Sequence, residues 1–222
     1  QNSLNLLAVP EELTVPFNGE TASLATATER RGPPGAVRRF WRCWACRRIC
    51  FIWRCPPPCW KRLLPVTGRC GWVSGALTAD ELAETGLSAA VQSISAKEAH
   101  ALLSGWDADG TLPPARRAAA RAAVWEAFFR QDLALLPATL PDALRASSTA
   151  LLTDFAAQDY TLLGTVLEFL ANNSALPHAE ALPGAWDAKA GTYTVTDASR
   201  AAVQTFLSVS PASGNDASLR EP

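Results

Sequence analysis

Arg30–Cys70 reads RRGPPGAVRRFWRCWACRRICFIWRCPPPCWKRLLPVTGRC, and the meaning of this stretch decides how the remainder is read. It holds all six cysteines, four of the eight tryptophans and eleven of the twenty Lys and Arg, with no acidic residue. The net charge of −1 therefore hides an asymmetry. The basic stretch sits beside an Ala- and Leu-rich body that carries all 21 acidic side chains.

Taken at face value, Cys43, Cys46, Cys50, Cys55, Cys59 and Cys70 are candidate ligands for zinc or an iron–sulfur cluster. They could equally form three disulfides. The Cys43–Cys46 spacing suits zinc, but no second close pair and no His pair completes a site. Arg and Lys interleaved with Trp41, Trp44, Trp53 and Trp60 suit phosphate contact and base stacking, or an anionic membrane surface.

A plainer reading is preferred. Arg, Cys, Trp and Pro together are what a GC-rich gene yields out of frame. Arg42–Arg48 can be written CGC TGC TGG GCC TGC CGC CGC. Read one base earlier, this gives Leu, Leu, Gly, Leu, Pro, Pro after its first codon. Phe51–Lys61, treated likewise, gives His, Leu, Ala, Leu, Pro, Ala, Ala, Leu, Leu, Glu. That is the composition of the body. We read residues 30–74 as an anomalous segment of this origin, in which case the cysteine motif and basic patch are artefacts. Nucleic acid or membrane is then a partner only if residues 30–70 are native.

The 222 residues allow one large domain or two small ones, and 48% hydrophobic with 18% charged residues excludes wholesale disorder. No apolar run reaches the length of about 20 residues that a membrane-spanning helix needs. The first residue is Gln1 and the body has no cysteine. Both suggest an exported protein, secreted or in the periplasm or cell envelope.

Residues 1–29 read as an N-terminal β arm, with a hairpin turn at Asn18-Gly19. Residues 75–209 read as a helical domain. Thr78–Glu81 and Ser95–Glu98 have the capping-box pattern, so we expect a short helix between them and another after the second. Trp106–Gly110 has alternating Asp, but a calcium loop would put Gly105 and Arg116 at ligand positions, so a turn is expected. Pro113 and Pro114 open the longest helix, expected to reach about Leu136, with Val124, Trp125, Phe128, Phe129, Leu135 and Leu136 on its apolar side. Arg116, Arg117 and Arg121 form a patch that could meet an anion, although a solvated face is the expectation; Arg130 lies further along.

Pro137 and Pro141 punctuate a link before a helix capped by Asp142 and holding Leu144, Leu151, Leu152 and Phe155. The next helix, Gln158 to Asn172, is apolar around most of its circumference, which suggests the centre of a bundle. Asn172–Ser174 matches a glycosylation sequon, relevant only to a eukaryotic secretory pathway. A β-hairpin is expected at 185–196, with Asp187 starting the turn and Gly191 in the left-handed position. Asp197 caps a last helix, and residues 210–222 read as a disordered tail.

Catalytic signals are sparse. His100 and His178 have no partners at metal-ligand spacing, and no nucleophile elbow, phosphate-binding loop or dinucleotide fingerprint is present. Glu126, Asp132, Asp154 and Asp159 read as surface carboxylates. No catalytic residue and no cofactor is expected. The fold expectation is a mainly α (α+β) chain: a helical bundle body with a short N-terminal β arm and a small C-terminal hairpin. The expected function is a non-enzymatic exported or cell-envelope protein that acts by protein binding or self-assembly, without a small-molecule ligand. The alternatives are the Cys-rich basic module and an enzyme whose site is assembled from loops around Trp106, His178 and Trp186.

Overall fold

The computed structural model describes residues 3–30, 53–54, 69–72, 92–95, 99, 112–147, 152–153 and 155–207. Over these the chain is α+β. In order, the elements are β1 (Ser3–Ala8), β2 (Thr14–Phe17), β3 (Glu20–Ser23), helix α1 (24–30), β4 (Trp53–Arg54), β5 (Arg69–Trp72) and β6 (Gln92–Ser95). They continue as α2 (Pro114–Asp132), α3 (Leu136–Ala146), β7 (Leu152–Thr153), α4 (Ala157–Asn172), β8 (Leu176–Ala181), β9 (Ala185–Asp187), β10 (Thr192–Thr194) and α5 (Asp197–Leu207).

The N-terminal strand is not an arm. β1 pairs in parallel with β8, from Ser3 opposite Leu176 to Ala8 opposite Ala181. Its side chains alternate between two cores, as the two-residue period of a strand requires. Leu4 and Leu6 pack on a cluster built from Val124, Phe128, Phe129, Leu136, Leu140, Leu144 and Leu167. Leu7 and Val9 pack on a second cluster that includes Leu13, Val15, Phe17, Leu182, Tyr193 and Val203. Asn5, on the second face, donates its side-chain amide to the Phe206 carbonyl at 2.8 Å. Partial burial against a core on each face explains the run LNLLAV.

The Asn18-Gly19 turn joins β2 to β3, with Thr14 opposite Ser23 and Phe17 opposite Glu20. Asn18 has φ +52° and Gly19 φ +91°, the left-handed pair that a two-residue hairpin turn demands. Near the C-terminus β9 and β10 pair antiparallel. There the Asp187 carboxylate accepts the N–H groups of Lys189 and Ala190 at 2.9 and 3.0 Å, and Gly191 has φ +65°.

Pro114 occupies the first turn of α2, where its missing N–H costs little. The helix ends at Asp132, short of the expected Leu136, and a turn over 133–135 leads directly into α3. Leu135, expected on the apolar face, is 61% exposed in that turn, whereas Phe128 and Phe129 are buried with ring centroids 5.5 Å apart, edge to face. The prolines expected in a link lie inside α3. Pro137 is in its first turn and Pro141 in its interior. Pro141 cannot donate to the carbonyl of Pro137 four residues earlier. That carbonyl lies against Gly164 of α4, where an added Cβ would sit 3.4 Å from its oxygen. α4 thus packs at ordinary contact distance over the place where α3 lacks a ladder bond. Leu152, expected in a helix, is instead in β7, paired with β4.

α4 is not the centre of a bundle. Tyr160, Leu167 and Leu170 are buried, but Leu162, Val166 and Phe169 are 45%, 42% and 55% exposed. The bundle expectation therefore gives way to helices packed about a parallel strand pair and two cores. β6 occupies 92–95, at the expected junction of two helices, and pairs with β5; Ala99 is helical and buried. The capping residues Thr78–Glu81, the turn at Trp106–Gly110, His100 and the tail at 210–222 fall outside the described residues. Among the described residues no helix is long and apolar enough to cross a membrane.

Candidate functional site

The first half of α2 gathers charge. Arg116 and Arg117 are in its first turn and Arg121 one turn further; all three are half-buried. No acidic residue stands in that turn, so the positive end of the helix dipole and the guanidiniums reinforce one another. The compensation comes from far away in sequence. Glu11 and Glu12 follow β1 in the turn that carries the chain to β2. The Glu12 carboxylate pairs with the Arg117 guanidinium, whose other nitrogen donates to the Leu112 carbonyl at 2.6 Å. Burial lowers the Arg117 pKa, Arg121 lowers it further by repulsion, and Glu11 opposes both.

The turn that holds these carboxylates is itself anchored. The Glu12 carbonyl accepts the Tyr193 N–H at 3.2 Å, and the Glu11 carbonyl accepts the Ala25 N–H at 3.0 Å. Leu13 bridges to Tyr193, which is fully buried and donates its hydroxyl to the Leu182 carbonyl at 2.7 Å. Burial raises the Tyr193 pKa, which keeps the phenol neutral. The result is a cluster of guanidiniums and carboxylates at the end of a half-buried strand, with Arg117 held by Glu12. Its chemistry suits an anionic group, since guanidinium presents several N–H donors in a planar fork.

The sequence reading of these arginines as a solvated face is corrected for Arg117. Its partner is 105 residues away, so no local spacing could show it. Arg130 is likewise engaged. It pairs with Glu126 at 2.9 Å and donates to the Pro177 carbonyl at 3.3 Å. Glu126, expected at the surface, is half-buried and accepts the Ala179 N–H at 2.7 Å, so this pair clamps α2 to β8. Asp159 accepts the Ala156 N–H at 2.7 Å and thereby closes the N-terminus of α4.

Of the loop-assembled site expected around Trp106, His178 and Trp186, two members are among the described residues. His178 is exposed on β8 opposite Asn5, while Trp186 packs on the second core. Trp106 lies outside the described residues. So do Cys43, Cys46, Cys50, Cys55 and Cys59, whereas the backbone of Cys70 is in β5. Among the described residues no three His, Cys, Asp or Glu side chains gather as for a metal ion.

No family model and no curated protein matches the sequence. Solved structures do match the fold. A LytR-Csp2A-Psr enzyme from Actinomyces oris superposes with a TM-score of 0.60 at 18% identity, over 93% of this chain and 81% of that one. TagT bound to LI-WTA gives 0.62 at 14% identity, over 92% and 79%. A protein described as a transcription regulator from Eubacterium siraeum gives 0.67 at 13% identity, over 92% and 79%. This chain has the fold of these proteins. The expectation of a non-enzymatic binding or assembly protein is thereby overturned, because enzymes share the architecture across almost the whole chain.

Proposed function

We propose that this chain is an enzyme that transfers a cell-wall glycopolymer at the cell envelope. The reading rests on the fold shared with the Actinomyces oris enzyme and with TagT, structures of a group that transfers such polymers. The cluster of Arg116, Arg117 and Arg121 supports it, because three half-buried guanidiniums with no acidic residue in the first turn of the helix favour an anionic group on the donor substrate. In this reading Glu12 is a positioning residue that holds the Arg117 guanidinium, and Arg121 is the arginine nearest to it on the next turn. The partners are then a glycopolymer donor and a cell-wall acceptor, in place of the protein partner expected from sequence.

The test is transfer of a labelled glycopolymer from its donor to isolated cell wall by the purified full chain. The expected result is transfer that falls by about ten- to a hundredfold in Arg121→Ala, the range for loss of one hydrogen bond to a charged group. Circular dichroism and thermal unfolding must first show that the variant remains folded. Transfer at the parent rate in a folded Arg121→Ala would remove the arginine cluster from the site. No transfer by the parent, with salt-sensitive binding to duplex DNA, would replace the proposal with nucleic-acid binding.

A further inference from the structure

We draw no further inference here: the strongest candidate, the apolar stripe of Leu162, Val166 and Phe169 along the outward face of α4, is an unpartnered surface and nothing in the structure shows what covers it.

Discussion

Replacing Glu12 with alanine removes the carboxylate that holds Arg117 and leaves a half-buried guanidinium with one remaining bond, to the Leu112 carbonyl. A fully buried ion pair loses about 3–5 kcal/mol when one partner is deleted. A surface pair loses less than about 1 kcal/mol. The Arg117 and Glu12 side chains are 14% and 27% exposed, nearer the buried limit, and Arg121 adds repulsion. We expect Glu12→Ala to cost about 2–3 kcal/mol, since water can enter the space left. For a chain of this length that is a fall in Tm of roughly 4–12 °C. Urea unfolding of the parent, Glu12→Ala, Arg117→Met and the double variant closes the cycle. The double variant should recover part of the loss, with a coupling of about 1 kcal/mol or more. A Glu12→Ala loss below about 0.5 kcal/mol, or no coupling, would mean that the pair behaves as a solvated one and that Glu12 does not hold Arg117 in place.

Three other outcomes are expected. Tyr193→Phe loses the hydroxyl bond to Leu182, at a cost of about 1 kcal/mol. Because the folded pKa is raised above the ordinary 10.0, this group's stabilisation is complete below 10.0 and is lost as pH rises from there through the raised folded value. Urea melts between neutral pH and pH above 10 should therefore show a shallower alkaline decline in the variant, and an unchanged decline would contradict the burial argument. Gly184→Ala should destabilise by about 1–3 kcal/mol, because its Cβ would meet the Tyr193 ring at 2.5 Å and the Thr194 carbonyl at 2.6 Å. A thermal melt identical to the parent's would count against that packing. Nucleotide sequencing across codons 31–74 should reveal a Leu- and Ala-rich alternative frame with a shift at each end. One uninterrupted frame without such an alternative would restore the cysteines as native residues.

Local signals were legible where their physics is local. Asn18-Gly19 specifies a turn because few other residues take two successive positive φ values. Pro113-Pro114 marks a helix start because the first turn needs no N–H there. The last helix starts one residue from the expected place: Asp197, expected as its cap, stands in the first turn of α5, and the Thr196 hydroxyl accepts the Ser199 N–H at 3.1 Å in its place. Pro141 misled for a related reason. Its intrinsic cost argues for a break, but α3 runs continuously through it, with Leu136, Leu140 and Leu144 buried in the first core.

The candidate site was half legible. Arg116, Arg117 and Arg121 could be placed on one stretch of helix from spacing, but the carboxylates that neutralise and hold them could not. Nothing in the segment around Glu11 and Glu12 marks them, because their proximity to α2 depends on β1 lying beside β8. The same distance effect hid the strand pair itself. Ser3 and Leu176 are apart by most of the chain, and loop closure over such a length leaves no periodic trace in either segment.

The start of α2 at Pro113-Pro114, the Asn18-Gly19 turn and the foreign composition of residues 30–70 are written in the sequence. The pairing of β1 with β8, the outward side of α4 and the hold of Glu12 on Arg117 arise in the folded chain alone. Helix periods and turn residues act over a few positions and are written in the local pattern. Parallel pairing, choice of buried face and long-range ion pairs are settled by which distant segments together bury the most apolar surface, and that choice belongs to the folded chain as a whole.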